Sequence, residues 1–119
     1  MKTKFMSVGI ATLLAASSAV QAQYTGPSSV QSYQTVAQVN ANPVDDMPVV
    51  LEGFIVKKVG NEKYIFTDGT GEIRIDLDDK YLPGQPFDDK TKVQLRGEVE
   101  KDFLDSPEID VEFPLVIVR

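Results

Sequence analysis

A phrase that occurs twice constrains the fold of this chain more than any other feature. Residues 49–55 read VVLEGFI and residues 93–99 read VQLRGEV. Each stretch has apolar residues at alternate positions and a glycine on the same parity, so Gly53 and Gly97 are expected on the buried face of a strand. A glycine there lets a strand bend sharply, and bent strands can close a small sheet. The two phrases therefore predict a small closed β-barrel.

The other strands can be identified from alternation. Ile73, Ile75 and Leu77 alternate with charged residues, which is the clearest two-residue period in the chain. Residues 63–67 and 108–113 supply two further extended runs. Five strands predict an all-β fold, a five-stranded OB-fold Greek-key barrel; an immunoglobulin-like sandwich, the main alternative, would need about seven strands. The predicted core is Leu51, Ile55, Ile73, Ile75, Leu77, Val93, Leu95, Val99, Ile109, Val111 and Phe113.

Two short helices are predicted beside the strands. Thr35 and Gln38 have the spacing of a capping box, so a short N-terminal helix is expected to start after Thr35 and to end before Pro43. Asp78 is placed to cap a one-turn helix between the third and fourth strands, which Pro83 would end.

The N-terminus predicts export. Residues 1–22 combine Lys2 and Lys4, an apolar run and a small-residue cleavage site at Ala22, which is typical of a signal peptide. The alternative, a membrane anchor, would need a longer apolar run. Residues 23–34 are then a flexible lead-in, and residues 35–119 form the OB-fold domain.

The composition limits the partners. Loss of the 22-residue leader from the 119-residue chain leaves 97 residues, enough for one domain. The whole chain has 12 basic and 18 acidic residues, and loss of Lys2 and Lys4 makes the net charge about −8. Such a charge repels phosphate backbones, so no nucleic acid is expected as a partner. It favours cationic peptides or divalent ions instead.

The residue types present argue against catalysis. The chain has no histidine and no cysteine, which removes the commonest general base, the thiol nucleophile and the usual ligands of transition metals. Asp76, Asp78 and Asp79 begin like a calcium loop, but Lys80 and Tyr81 interrupt that pattern. We therefore predict no catalytic residue, no cofactor and no dedicated metal site.

Two outer surfaces are candidates for binding. The outward positions of the last strand are all acidic, namely Glu108, Asp110 and Glu112. Cross-strand ion pairs with Arg74 and Arg96 are expected to neutralise only part of this charge. The remainder would be free to attract a cationic peptide.

The second surface is apolar. If the core-facing residues of the first two strands point inwards, Phe54, Val56 and Ile65 point outwards, on the face where OB-folds commonly take ligands. Lys63 and Arg74 would rim this patch, together with Lys57 and Lys58. The predicted ligand-binding residues are Phe54, Val56, Lys63, Ile65 and Arg74, and a small saccharide, a wall fragment or an envelope protein would suit them. The alternative is that the short helix or the lead-in covers the patch.

Several motifs follow one another in the order found in a known family. They are residues 24–28 (YTGPS), 51–55 (LEGFI), 64–68 (YIFTD), 71–76 (GEIRID), 97–102 (GEVEKD) and 108–111 (EIDV). Together they resemble the bacterial OB-fold (BOF) family of small periplasmic stress-tolerance proteins, the YgiW/YdeI type. Tyr81 and Phe103 stand where members of that family often have tryptophan.

The resemblance implies an OB-fold, a periplasmic address and a non-enzymatic role in tolerating cationic antimicrobial peptides, peroxide or metals; it carries over no binding residues. The leading hypothesis is therefore a periplasmic binding or interaction protein, expected to be a monomer without membrane insertion. The alternative is a carrier of a small ligand or cation, such as a cell-wall saccharide or a divalent ion.

Overall fold

The computed structural model describes residues 32–119, so the predicted signal peptide and residues 23–31 of the lead-in lie outside the described residues. Among residues 32–119, no helix has both the length and the apolar character that a membrane span requires. The elements are α1 (Val36–Ala41), β1 (Pro48–Gly60), β2 (Lys63–Thr67), β3 (Glu72–Asp76), a 3₁₀ helix (Asp79–Tyr81), β4 (Val93–Glu100), β5 (Glu108–Val111) and β6 (Val116–Ile117).

Five of these strands close the predicted OB-fold barrel. β1, β2 and β3 form an antiparallel meander, β3 pairs in parallel with β5, and β5 pairs with β4. The first half of β1 pairs with β4 from Pro48 to Gly53, and its second half pairs with β2 from Phe54 onwards. One bent strand thus joins both edges of the sheet. The sixth strand, β6, adds two residues alongside the start of β4.

The two glycines of the repeated phrase lie where strands approach each other most closely. A Cβ atom on Gly53 would overlap the Thr67 carbonyl oxygen and lie 2.9 Å from the Asp68 Cα atom. A Cβ atom on Gly97 would overlap the Asp110 carbonyl oxygen. The sequence-based inference that glycine permits the closure is consistent with this packing, since neither position has room for a side chain.

Ten of the eleven residues in the predicted core are buried, all except Phe113, and the core also contains Val36, Val39, Val49 and Phe66, which the sequence pattern did not predict. Phe113 is 44% exposed, and Leu115 is buried in its place at 5%. The reason is that β5 ends at Val111, so the inward parity does not continue through Phe113 and Pro114. The buried apolar residues are Val36, Val39, Val49, Leu51, Ile55, Phe66, Ile73, Ile75, Leu77, Val93, Leu95, Val99, Ile109, Val111 and Leu115.

Helix α1 has the predicted capping box, in which Thr35 accepts from the Gln38 N–H and the Gln38 side chain accepts from the Thr35 N–H. Its start is tied to the β2–β3 turn, because Asp68 Oδ2 accepts from the Val36 N–H at 3.0 Å. Burial opposes ionisation of Asp68, but hydrogen bonds from Thr70 and Val36 outweigh it and hold the pKa of Asp68 below its usual value. The helix is therefore fastened to the barrel by a charged carboxylate.

Two further connections complete the frame. Asp78 accepts from the Lys80 N–H at 2.9 Å and caps the 3₁₀ helix, as its sequence position predicts. At the other end, the Tyr33 N–H donates to the Pro48 carbonyl at 2.9 Å, and the Val50 N–H donates to the Tyr33 carbonyl at 3.0 Å. Tyr33 therefore lies along β1, two residues before the predicted domain boundary.

Candidate functional site

A groove of about 670 Å³ lies between α1, the outer face of β2 and β3, and the loop that joins β4 to β5. Asp105, Ser106 and Pro107 of this loop, which spans residues 101–107, form one wall, and Asn40 of α1 contributes to another. The residues that line the groove are Asn40, Ile65, Glu72, Ile73, Arg74, Asp105, Ser106, Pro107 and Glu108.

Strand register brings the groove residues together. Ile65 of β2 is paired with Arg74 of β3, and Arg74 is paired with Glu108 of β5, so the three side chains form a row across the outer face. The Arg74 Nη1 atom is 4.0 Å from Glu108 Oε2. Asn40 Nδ2 donates to the Glu72 carbonyl at 3.1 Å, which fixes α1 against β3. The groove is lined by three apolar residues, Ile65, Ile73 and Pro107, among polar and charged ones.

Lys63 lies beside the groove in a network of carboxylates. Its Nζ atom is 3.1 Å from Asp76 Oδ2 and 3.4 Å from Glu108 Oε1. The hydrogen bond to Asp76, with the added charge of Glu108, raises the pKa of Lys63 above its usual value even though partial burial opposes the charge. Lys63 and Arg74 thus both reach Glu108.

The five residues predicted to bind a ligand do not form one surface. Ile65 and Arg74 line the groove, and Lys63 adjoins it. Val56, which is 37% exposed, lines a separate depression of about 340 Å³ together with residues such as Lys58, Tyr64 and Phe87. Phe54 is half-buried and lines none of the depressions described.

A bulge in β1 divides the expected patch. Ile55 pairs with Phe66 and Lys57 pairs with Ile65, so Val56 is an additional residue between two consecutive pairs. An extra residue shifts the parity of everything that follows it, and Lys57 rather than Val56 lies next to Ile65. Simple alternation along the strand does not anticipate this shift.

The most exposed apolar side chains were not among the predicted site residues. Phe103 is 94% exposed and Leu104 is 88% exposed, at the tip of the loop that walls the groove. We call these two residues the apolar tip. A signal was available in the sequence, since two large apolar residues stand between Asp102 and Asp105.

An acidic face adjoins the groove on β3, β5 and β4. The register sets Asp110 beside both Asp76 and Glu98, and sets Glu100 beside Glu108. Burial, followed by repulsion from Asp76, raises the pKa of Asp110. Burial, followed by repulsion from Asp110, raises the pKa of Glu100. Carboxylates that resist ionisation in this way indicate a crowded negative surface.

Arg96 differs from the expected ion-pair pattern. Its guanidinium carbon lies 4.3 Å from the centre of the Phe113 ring, in a cation–π contact. In the part of the chain that the structure describes, residues 32–119, no carboxylate lies within 4.0 Å of it. Of the two arginines expected to pair with β5, only Arg74 does so.

Comparison with known proteins agrees with the fold. Residues 13–115 match the family model described as bacterial OB fold (BOF) protein. The chain belongs to the bacterial OB fold family. It is 39% identical to the calcium-regulated OB-fold protein CarO of Pseudomonas aeruginosa, over 98% of this chain and 99% of that protein. It is also 35% identical to the protein YgiW of Escherichia coli K12, over 79% of each chain.

Solved structures lead to the same conclusion. The hypothetical protein YgiW from E. coli is 36% identical and superposes with a TM-score of 0.66, covering 82% of this chain and all of the other. The telomere capping protein Ten1 of Schizosaccharomyces pombe has a TM-score of 0.53 at 14% identity, covering 73% of this chain and 81% of the other, and shares the fold alone. The BOF member described here is thus an OB-fold protein of a family whose matched names state no enzymatic activity.

Proposed function

We propose that this BOF protein is a non-enzymatic periplasmic binding module that captures cationic, partly apolar peptides and so contributes to tolerance of envelope stress. The observation that carries the proposal is the adjacency of three features: the groove, the apolar tip and the acidic face. The proposed ligand would use all three together.

The apolar part of the ligand would contact Ile65 and Pro107 in the groove. Both side chains are half-buried, whereas Ile73, at 4% exposure, belongs to the barrel core. The apolar tip stands on the loop whose residues Asp105 to Pro107 line the same groove. Large side chains left this exposed lose contact with water on binding, and each buried aromatic ring contributes substantially to affinity.

The charged part of the ligand would meet carboxylates. Three acidic residues line the groove, namely Glu72, Asp105 and Glu108, whereas Arg74 is the one basic residue among its lining residues. The acidic face extends this negative surface beyond Glu108. Opposite charge speeds the encounter and selects basic partners over acidic ones. A lysine- or arginine-rich amphipathic peptide satisfies both the apolar and the charged requirements.

The periplasmic location and the role in stress tolerance are proposed from the sequence, not from the groove. Residues 1–22 have the pattern of a cleaved leader, and the motif order resembles periplasmic stress-tolerance proteins. Sequencing the N-terminus of the protein recovered from the periplasmic fraction tests the address, and cleavage after Ala22 is the expected result.

Calorimetry tests the binding function. The exported protein is titrated with a synthetic amphipathic peptide of lysine and leucine, at low and at physiological salt. We expect binding that weakens severalfold with salt, because exposed charges are screened, and that weakens severalfold again in the double variant Phe103→Ser/Leu104→Ser. Val116→Ser, which removes an apolar side chain that is 54% exposed on β6, is the matched control and should bind normally. Absence of binding at low salt, or equal affinity of the tip variant, would overturn the proposal.

A divalent cation is the second candidate, because Asp110 and Glu100 have raised pKa values and CarO is named as calcium-regulated. Within residues 32–119, no three acidic residues are grouped as a metal site would need. Replacing the peptide by calcium chloride in the same titration distinguishes the candidates: saturable heat that is lost in Asp110→Asn would favour the cation.

A further inference from the structure

The groove that is proposed to bind a cationic peptide already contains a cation of its own. Within the part of the chain that the structure describes, Arg74 is the only basic residue that lines the groove. Its side chain is 53% exposed, and its Nη1 atom lies 4.0 Å from Glu108 Oε2. That distance is too long for a hydrogen bond, so charge attraction alone holds the two groups together.

Glu108 is shared by two basic residues that hold it differently. Lys63 Nζ is 3.4 Å from Glu108 Oε1 and 3.1 Å from Asp76 Oδ2, so Lys63 bridges two carboxylates. Among residues 32–119, Glu108 is the only acidic residue with a carboxylate oxygen within 4.0 Å of Arg74. A single exposed ion pair contributes little to stability. Lys63 is therefore the firm partner of Glu108, whereas Arg74 can be displaced from it at small cost.

Strand register determines where the charge of a ligand would meet Arg74. Arg74 is paired with Ile65 on one side and with Glu108 on the other, and neighbouring strands lie about 4.8 Å apart. A peptide with an apolar side chain on Ile65 therefore brings its basic side chains close to Arg74. Because Lys63 already contacts Glu108 Oε1, a ligand cation and Arg74 would compete for Oε2. Two cations beside one oxygen atom also repel each other.

We propose that Arg74 occupies the position of the ligand's cation in the free protein, and that a lysine or arginine side chain of the peptide displaces it from Glu108. The groove is thus partly inhibited by one of its own residues. The peptide gains an ion pair with Glu108 only by breaking an internal one, so a ligand with an apolar group and no cation has no means of displacing Arg74. This inference rests on the proposed peptide binding and adds how that binding is regulated.

Removal of Arg74 tests the inhibition. In the titration with the lysine–leucine peptide at low salt, Arg74→Gln should tighten binding about three- to fivefold, which corresponds to the upper range for an exposed ion pair. Lys90→Gln is the matched control, because it removes the same charge from an exposed loop before the start of β4, whereas the loop that walls the groove follows the end of β4. It should change the affinity less than about twofold, since distant charges in water interact weakly. Unchanged unfolding midpoints will show that both variants fold.

Glu108→Gln shows whether the gain depends on the displaced ion pair. This variant should itself bind the peptide more weakly, because the anchoring carboxylate is lost. In the Glu108→Gln protein Arg74 no longer holds the position of the ligand's cation. Adding Arg74→Gln to it should therefore change the affinity no more than Lys90→Gln does in the wild-type protein.

The outcomes separate this inference from the proposed function. Equal effects of Arg74→Gln and Lys90→Gln, or a gain that persists in Glu108→Gln, would overturn the inhibition and leave peptide binding in place. Weaker binding in Arg74→Gln, or binding of a glutamate–leucine peptide that Arg74→Gln abolishes, would overturn it too, because Arg74 would then be a receptor for a carboxylate. If neither the wild-type protein nor Arg74→Gln binds the lysine–leucine peptide, the proposed function and this inference are both overturned.

Discussion

At the scale of single residues, two glycines set how tightly the barrel closes. At Gly53 and Gly97 the neighbouring strand passes so close that a side chain has no space. The nearest atoms at both positions belong to the backbone, so a change of side-chain rotamer cannot make room for a methyl group. Their role is therefore steric, and it does not depend on an unusual backbone angle.

Replacing these glycines by alanine tests that role. Gly53→Ala should lower the free energy of unfolding by about 3 kcal/mol or more, which is the upper range for overpacking, because strands must separate to admit the methyl group. Urea unfolding gives the value. Gly84→Ala is the matched control, since nothing lies within 4 Å of its Cβ position; it should be neutral or stabilise by about 0.5 kcal/mol through the unfolded chain. Equal effects at the two sites would contradict the steric explanation.

At the scale of elements, β3, β5 and β4 place like charges side by side. Asp76, Asp110 and Glu98 are in cross-strand register, and Lys63 neutralises only part of the cluster through Asp76. Carboxylates directly opposed across strands destabilise a sheet. The acidic face therefore lowers the stability of the β-barrel. Such a loss of stability is expected where a surface is used for binding rather than for folding.

The pH dependence of stability tests this cost. The pKa of Asp110 is raised in the folded state, so its ionised form is unfavourable at neutral pH, and the penalty disappears as pH falls through the folded pKa towards the unfolded value. Asp110→Asn should stabilise the fold by about 0.5 kcal/mol at neutral pH, allowing for solvent screening, and by progressively less towards about pH 4. Asp89→Asn, on an exposed loop, serves as control. A gain that is constant with pH would exclude charge repulsion as its cause.

At the scale of the whole molecule, α1 belongs to the barrel core. Val36 and Val39 are both fully buried, and Asp68 links the start of the helix to the β2–β3 turn. A helix of six residues has no stability of its own in water. The helix and the barrel should therefore unfold as one cooperative unit.

Truncation of one helical side chain tests that cooperativity. Val39→Ala should cost about 2 kcal/mol, from lost burial and the remaining cavity, and should shift the far-ultraviolet circular dichroism and tyrosine fluorescence transitions equally. The same substitution at Val44, which is 40% exposed, should cost far less. Transitions that separate in Val39→Ala would mean that α1 unfolds independently of the barrel.

Local patterns accounted for the elements and the fold class. Alternation, paired bend glycines and cap residues act over a few neighbouring positions, so the capping box at Thr35, the cap at Asp78 and the five barrel strands could be predicted. The prediction of which side chains face inwards or outwards failed where a strand contains an extra residue or ends early, because either change interrupts the alternation. The bulge at Val56 divided the expected patch, and the end of β5 at Val111 left Phe113 at the surface.

The sequence alone therefore determined a closed OB-fold barrel, its acidic character and most of its core, because burial follows the period of each strand. Only the tertiary structure decided the candidate binding surfaces. The groove joins α1 to a loop more than sixty residues away, and the contact of Arg96 with Phe113 joins β4 to the residues after β5. Contacts between segments this distant depend on strand register and loop path, which no local period encodes.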